Sequence, residues 1–224
     1  MTRAYDVVTF DCYGTLIDWE DGIASAFTRE AEADGVTLAR SRIIAAYHET
    51  EPEIEAERYE TYRDVLARTA RRVADRLGWP LSKERSRFLP ASLADWRPFP
   101  DTNPALVDLV AAGYRLGILS NVDDDLLEKT RSHFPVDFEI VVTASQVRSY
   151  KPALGHFLEA RRRIGAARWL HAAQSWFHDV VPAHELEIPV AWVNRKSELR
   201  SGDAEPDAEV SNLTGLSDWL ESAR

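Results

Sequence analysis

Four polar segments of this sequence stand where apolar runs end, and each carries a side chain that could act on a small anionic molecule. Asp11 supplies a carboxylate, Ser120 and Asn121 a hydroxyl and an amide, Lys151 an ammonium and Asp179 a second carboxylate. The apolar runs before them are predicted strands. The carboxyl ends of parallel strands share one edge, and ligands bind in the crevice outside it. We therefore expect these residues, distant in sequence, to form one site.

Asp11 is the first candidate for a catalytic group. It follows the apolar run Val7-Val8-Thr9-Phe10 and precedes Gly14, so its carboxylate is expected at a strand end and held rigidly by a tight turn. With an unperturbed pKa of about 3.9 it is ionised at neutral pH and can attack an electrophile without a separate base. Thr15 could donate a hydrogen bond to it. The alternative is a carboxylate that caps the helix after the turn.

Lys151 and the Ser120-Asn121 pair have electrostatic roles in this interpretation. A buried site must pair its charges, and Lys151 between Asp11 and Asp179 would do so. Ser120 and Asn121 end a strand, where a hydroxyl, an amide and the backbone N–H groups of the next turn can hold a small anion such as a carboxylate. A Ser-Asn dipeptide is also ordinary turn chemistry.

The segment before Asp179 adds further polar groups. We expect Gln174, Ser175 and His178 to contact the substrate, and His178 could also relay a proton to the product. In a site without a metal, Asp179 itself would orient the attacking water or hold Lys151.

The motif Asp11-x-Tyr13-Gly14-Thr15-Leu16, after the predicted first strand, resembles the nucleophile motif of the haloacid dehalogenase superfamily of hydrolases. The Ser-Asn, Lys-Pro and terminal Asp segments follow in the superfamily's order, and the resemblance covers the whole chain. It is closest to the branch that hydrolyses 2-haloacids. The resemblance implies an α/β fold with a Rossmann-like parallel core and an inserted helical cap. It also implies that Asp11 is the nucleophile and that Lys151 balances the charge of Asp11 and holds the substrate anion.

Two positions separate the 2-haloacid branch from the phosphatases of the superfamily. Phosphatases usually carry a second Asp at the position of Tyr13, to protonate a leaving alkoxide, whereas a halide leaves as a stable anion. The 2-haloacid branch has Tyr there, and Tyr13 offers the substrate an apolar wall and a hydroxyl donor. Phosphatases also bind Mg²⁺ through an Asp at the position of Gln174, and an amide is a poor ligand for a hard cation. We expect no cofactor and no metal, with Mg²⁺ required only if the chain is a phosphatase.

A cap residue should take up the halide, and the sequence leaves two candidates. The 2-haloacid enzymes that this chain resembles use an arginine from the first part of the cap. Arg42 matches it in one alignment, while the pattern Ala45-Ala46-Tyr47-His48 puts His48 in that place. Histidine is charged only below about pH 6.5 when unperturbed, so His48 would be the weaker halide acceptor.

The elements that position these groups can be predicted from periodicity. Residues from about 18 to 97 show only helical patterns, and the longest helix has apolar residues at three- and four-residue spacing. Those residues are Tyr62, Val65, Leu66, Thr69, Val73 and Leu77. A helix capped by Asn103 is predicted next, and it ends at Gly113. Later strands are predicted over 114–119, 138–142, 169–173 and 190–193, with helices between them and a surface loop over 197–207. We predict a parallel α/β core domain of residues 1–18 and 97–224, and a helical cap domain of residues 19–96.

Composition argues against several classes of partner. The 224-residue chain has a formal net charge of −10, whereas nucleic-acid binding needs clustered Lys and Arg. No apolar run approaches the roughly 20 residues that span a bilayer. The single cysteine, Cys12, cannot form an internal disulfide, and we expect it to pack as a small apolar side chain in a cytoplasmic protein. The sequence leaves the oligomeric state open, with a homodimer among the options.

The resulting hypothesis is hydrolysis of a 2-haloalkanoic acid. Asp11 attacks the carbon that carries the halogen, an aspartyl ester forms as halide departs, and a water near Asp179 hydrolyses the ester. The resemblance supplies this displacement chemistry. One alternative is a phosphatase of the same superfamily with a magnesium site altered at Gln174. Another is a non-catalytic member that binds an anion or a partner, against which the retained Asp11, Lys151 and Asp179 argue.

Overall fold

Six parallel strands, in the order β3-β2-β1-β4-β5-β6, form the centre of the α/β fold in a computed structural model that describes residues 3–222. All five neighbouring pairs are parallel. The predicted fold class is confirmed. The strands are β1 (Val7–Phe10), β2 (Arg115–Ser120), β3 (Ile140–Thr143), β4 (Trp169–Ala173), β5 (Val190–Val193) and β6 (Ala208–Val210).

Continuous apolar runs explain the central strands. Every residue of β1, β4 and β5 is buried, as expected for a parallel sheet with both faces covered by helices. The predicted bounds of these three strands are confirmed, β2 is shifted by one residue, and β3 begins two residues later than predicted. The short edge strand β6 was not predicted, because its three residues lie among charged and polar neighbours.

Ten α-helices are present within residues 3–222, with a π-helical turn at Trp176–Val180 and two short 3₁₀ turns at Arg85–Arg87 and Leu93–Asp95. None of the helices in this range is long and apolar enough to cross a membrane. The helices are α1 (Trp19–Glu32), α2 (Arg40–Glu55), α3 (Tyr62–Arg76), α4 (Phe88–Ser92), α5 (Thr102–Ala111), α6 (Asp124–Arg131), α7 (Ala144–Val147), α8 (Gly155–Ile164), α9 (Val181–Glu185) and α10 (Leu213–Ser222).

Two helix predictions have different outcomes. The apolar face predicted for α3 is buried, from Tyr62 to Val73, and the helix ends just before Gly78, whose φ is +75°. Asn103 is not the N-cap of α5, since the helix already begins at Thr102. The Thr102 hydroxyl donates to the carbonyl of Leu16 at 2.8 Å, and the Asn103 amide donates to the carbonyl of His133 at 3.0 Å. Tertiary hydrogen bonds therefore override the local capping pattern.

The chain separates into two compact units. The α/β unit contains the residues up to Ile17, Pro98–Asn121 and the residues from Ser132 onward, and the helical unit contains Asp18–Arg97 together with Val122–Arg131. We had predicted the last of these segments in the core domain. Asp123 explains the difference, because its carboxylate accepts hydrogen bonds from the backbone N–H groups of Tyr62 and Arg63, both at 2.9 Å, at the start of α3. A carboxylate is stabilised at a helix N-terminus.

Candidate active site

Asp11 lies at the carboxyl end of β1, where a tight turn begins. The backbone N–H groups of Leu16 and Ile17 donate to the carbonyl of Cys12 at 2.8 and 2.9 Å. Gly14 in this turn has a φ of +103°, which a residue with a side chain rarely adopts. The turn returns the chain to the strand end, so Thr15 comes within reach of Asp11.

Both oxygens of the Asp11 carboxylate accept hydrogen bonds. Lys151 Nζ donates to Oδ1 at 2.9 Å, and the Thr15 hydroxyl donates to Oδ2 at 2.9 Å. The Thr15 oxygen in turn accepts from the backbone N–H of Gln174 at 2.9 Å, at the end of β4. Asp11 is 8% exposed, so its carboxylate has a fixed orientation and still reaches the surface of the sheet edge. The predicted contact of Thr15 with Asp11 is confirmed.

Lys151 connects the two carboxylates. Its ammonium donates to Asp11 Oδ1 at 2.9 Å, to Asp179 Oδ1 at 2.6 Å and to the carbonyl of Leu119 at 2.9 Å. These three contacts use all three N–H groups of a buried side chain that is 2% exposed. The predicted position of Lys151 between Asp11 and Asp179 is confirmed.

The three charged groups shift one another's pKa values. Burial raises the pKa of the Asp11 carboxyl, Lys151 opposes this, and the charge of Asp179 adds to it. Burial also acts to raise the pKa of Asp179, but Lys151 and a hydrogen bond from His171 outweigh it and lower this pKa to about 2. Burial acts to lower the pKa of Lys151, and the two carboxylates raise it above its usual value. The pKa values of the two carboxylates therefore differ, and active sites use such differences to give similar groups different roles.

Asp179 reaches Lys151 from the π-helical turn that follows β4. The backbone N–H groups of Asp179 and Val180 both donate to the carbonyl of Ser175 at 3.2 Å. Single π turns occur frequently at functional sites. The Asp179 side chain is fully buried, and its Oδ2 has no hydrogen-bond partner among residues 3–222. All of its side-chain hydrogen bonds in this range fall on Oδ1.

Ser120 and Asn121 differ in what their side chains contact. Ser120 is 1% exposed, and its hydroxyl has no partner within the described part of the chain. The Asn121 amide binds the backbone of Lys151, and its predicted contact with an anion stays a prediction. It accepts from the Lys151 N–H at 2.7 Å and donates to the Lys151 carbonyl at 3.1 Å. Asn121 therefore fixes the loop that carries the lysine.

The polar side chains before Asp179 are also engaged with protein groups. The Gln174 amide donates to the Glu198 carboxylate at 3.3 Å. Ser175 accepts from the backbone N–H of His178 at 3.1 Å and lies 3.0 Å from the Nδ1 atom of the same residue. Burial lowers the pKa of His178, which favours the neutral ring. The predicted substrate contacts of these residues remain predictions.

The remaining predicted residues have distinct environments. Tyr13 is half-buried in the turn after Asp11, and Cys12 is fully buried, as expected for a packed side chain. In the helical unit, His48 Nε2 lies 2.8 Å from Glu20 Oε1, and its ring packs edge-on against a tryptophan. Arg42 is exposed near the start of α2. Which of the two contacts an anion stays a prediction.

The donor set around Asp11 does not fit a magnesium ion. No group of three or more His, Cys, Asp or Glu side chains within residues 3–222 has a metal-site arrangement. Both Asp11 oxygens accept hydrogen bonds, from Lys151 and Thr15, and the Gln174 amide faces Glu198. Mg²⁺ requires several oxygen ligands in an octahedral arrangement.

Two residues of the site were not predicted from the sequence. His171 in β4 donates or accepts at both ring nitrogens, one of them 3.0 Å from Asp179. Arg195 donates to the carbonyl of Thr15 through Nη2 at 2.8 Å, and it also forms an ion pair with Asp101 at 2.9 Å. Arg195 thus ties the turn after Asp11 to the start of α5. Neither had a usable signal in the sequence, because a histidine inside an apolar strand resembles a packed core residue and Arg195 sits in an ordinary polar loop.

Comparisons with known proteins agree with this architecture. The sequence model of one family, described as haloacid dehalogenase-like hydrolase, matches residues 5–175. An (S)-2-haloacid dehalogenase from Pseudomonas putida is 27% identical over 219 residues, 95% of each chain. A glyceraldehyde 3-phosphate phosphatase from Methanothermobacter thermautotrophicus is 34% identical over 114 residues, 48% of each chain. The L-2-haloacid dehalogenase structure from Xanthobacter autotrophicus superposes with a TM-score of 0.84 at 20% identity, covering 98% of this chain and 100% of the other, and shows the same fold.

Proposed function

Because this chain belongs to the haloacid dehalogenase-like hydrolases, we propose that it hydrolyses a small 2-haloalkanoic acid through a covalent ester on Asp11. The observation that carries the proposal is the buried Lys151 ammonium shared by Asp11 Oδ1 and Asp179 Oδ1. It supports one carboxylate as nucleophile and a second carboxylate beside it. The relatives named as 2-haloacid dehalogenases, which match along almost the whole chain, support the substrate class.

In the first step, Asp11 Oδ1 attacks the carbon that carries the halogen. The new C–O bond forms as the carbon–halogen bond breaks, and the halide leaves with the electron pair. Lys151 balances the charge of the nucleophile before attack, and Thr15 keeps Oδ2 in place. We propose that the buried Ser120 hydroxyl donates to the substrate carboxylate or to the halide, since a buried polar atom requires a partner.

In the second step, a water attacks the carbonyl carbon of the Asp11 ester. Negative charge develops on Oδ2, where the Thr15 hydroxyl donates a hydrogen bond that strengthens with the charge. Asp179 accepts the proton that the water releases and passes it to the departing oxygen of the 2-hydroxy acid. The proton left on Asp11 is lost to solvent, which regenerates the carboxylate.

Several further assignments belong to this proposal. We assign the anion contact of the helical unit to Arg42 or His48, and we assign the reaction no metal or organic cofactor. The α/β unit acts as the catalytic domain and the helical unit as its cap. The cytoplasm is the proposed location, supported by the single cysteine, which is buried. Glu20 is the competing partner of His48, which favours Arg42 for the halide.

Halide and phosphate release, measured side by side, test the proposed reaction. We expect the protein to release chloride from 2-chloropropionate with the same rate in the presence and absence of a chelator, and Asp11→Asn to abolish the release. Asp6→Asn is the matched control, because Asp6 lies before the other end of β1, where it pairs with Arg168. Phosphate release from a generic monoester that requires Mg²⁺, without chloride release, would identify a phosphatase instead.

An isotope experiment tests the ester intermediate. In a single turnover in ¹⁸O-labelled water, the oxygen of the product hydroxyl comes from Asp11, and the label enters the aspartate. Direct attack of water on the substrate would put the label into the 2-hydroxy acid in the first turnover. Mass spectrometry of the peptide that contains Asp11 distinguishes the two outcomes.

A further inference from the structure

His171 is a fully buried histidine whose ring bonds at both nitrogens, and the proposed reaction gives it no role. Nε2 lies 3.0 Å from Asp179 Oδ1, and Nδ1 lies 2.8 Å from the Thr9 hydroxyl oxygen. The indole N–H of Trp169 donates to the same hydroxyl oxygen at 2.7 Å. These contacts form a continuous chain from Trp169 through Thr9 and His171 to Asp179.

The partners in this chain indicate which ring nitrogen of His171 carries a hydrogen. The carboxylate of Asp179 can only accept, so Nε2 carries a hydrogen and donates it to Asp179. The indole of Trp169 can only donate, so the Thr9 oxygen accepts from it, and we assign the remaining contact as donation from the Thr9 hydroxyl to Nδ1. The ring reaches the active site as a hydrogen-bond donor.

The bond from His171 makes the two oxygens of Asp179 different. Oδ1 accepts from both His171 and Lys151, while the equally buried Oδ2 has no partner among residues 3–222. The terminal torsion of an aspartate is broad and nearly two-fold, so a single contact from Lys151 would leave the carboxylate plane poorly defined. Two donors on one oxygen fix that plane.

We propose that His171 is a positioning residue, which holds Asp179 so that Oδ2 alone is available to the water that hydrolyses the Asp11 ester. The proposal rests on the proposed function. As the water oxygen bonds to the ester carbon, its proton becomes strongly acidic and passes to Oδ2, which then gives it to the leaving alkoxide. The second proton of the water ends on the Asp11 carboxyl. His171 itself exchanges no proton in this step.

The proposal predicts that loss of His171 affects the second chemical step and not the first. Without His171, attack by Asp11 on the substrate should proceed, but hydrolysis of the ester should slow by up to about a hundredfold, the effect of a misplacement of roughly 1 Å. His171→Leu should then release a burst of one halide per active site, followed by slow turnover. His171→Gln keeps an N–H donor toward Asp179, so we expect it to recover most of the steady-state rate.

Rapid-mixing measurements of halide release on His171→Leu, His171→Gln and the wild type make this test. Trp79→Phe is the control, because it removes the N–H of another buried indole, one that donates to Asp34 and lies outside this chain, and we expect no burst there. A wild type that releases no halide would refute the proposed function. A His171→Leu variant with wild-type turnover, or with burst and turnover lost together, would refute the role of His171 alone.

The tautomer supplies a readout that does not depend on turnover or on the Leu variant being folded. Long-range ¹H–¹⁵N spectra of the wild type should show, among its histidine signals, a set with a protonated Nε2 and an unprotonated Nδ1 that is absent from the spectrum of His171→Gln and is thereby assigned to His171. Thr9→Val removes the donor to Nδ1 and should weaken this preference. A protonated Nδ1 on His171 in the wild type would overturn the proposal.

Discussion

Replacement of Lys151 by methionine should destabilise the protein more than any surface substitution. Methionine keeps most of the length of the side chain and removes the ammonium. The change leaves Asp11 and Asp179 buried beside each other without a cation, and the carbonyl of Leu119 loses its donor. Removing one partner of a buried ion pair typically costs about 3–5 kcal/mol, and we expect a loss in the free energy of unfolding of this size at pH 7.

The loss should shrink as the pH falls. In the wild type, the pKa of Asp179 is lowered to about 2, so its stabilising effect is present above the unfolded value of about 3.9 and is lost in acid. In the variant, burial without a cation raises the pKa of both carboxyls above their unfolded values. Protonation then stabilises the folded variant as the pH is lowered, and the two proteins become more similar.

Urea unfolding at several pH values between 5 and 8 measures this difference. Lys83→Met is the control, because Lys83 is an exposed lysine, and its replacement should change stability by less than about 0.5 kcal/mol. Equal unfolding free energies for the two variants at pH 7 would show that Lys151 does not neutralise the buried carboxylates. A difference independent of pH would show that the lost contacts, rather than the uncompensated charges, determine the cost.

Three further predictions concern activity. Asp11→Asn should lower halide release by at least about a thousandfold in a protein with a wild-type circular dichroism spectrum, because the amide is not nucleophilic. Burial raises the pKa of Asp11, and only the ionised carboxylate can attack. We therefore expect kcat/KM to fall as the pH decreases, with a midpoint above the ordinary aspartate pKa of about 3.9. A midpoint at or below that value would contradict the burial of Asp11. If Arg42 holds the anion, Arg42→Ala should weaken substrate binding about ten- to a hundredfold and His48→Ala should not. If His48 holds it, the two results should be reversed, and no effect of either would remove the helical unit from anion binding.

The sequence predicted the elements whose signal is local. β1, β4 and β5 are continuous apolar runs, and their bounds agree with the structure. β3 was extended too far toward its start because Phe138 is apolar, but this residue packs against Phe134 in the preceding loop, with ring centroids 5.5 Å apart. β6 depends on hydrogen bonds to β5, such as the one from Asn194 N–H to the Val210 carbonyl at 2.7 Å, and such a contact leaves no local pattern.

The same distinction applies to the site. Asp11, Thr15 and Lys151 belong to short motifs at strand ends, so their contacts could be predicted. The bond between Asn121 and the backbone of Lys151 was not predicted, since a contact between two loops distant in sequence leaves no local pattern. His171 was not found because a histidine within an apolar strand resembles a packed core residue, and only the structure reveals its contact with Asp179.

The position of β1 in the sheet has a consequence for synthesis of the protein. β1 is made early but lies in the middle of the sheet, where Val7 is paired with Arg115 of β2 and with Trp169 of β4. The helical segment between β1 and β2 depends on contacts between near neighbours in sequence, which form quickly. A chain still on the ribosome therefore carries an unpaired apolar strand for most of its elongation. We expect nascent chains that end before Trp169 to aggregate or to recruit chaperones, and the nucleophile to become ordered only after β4 has been made.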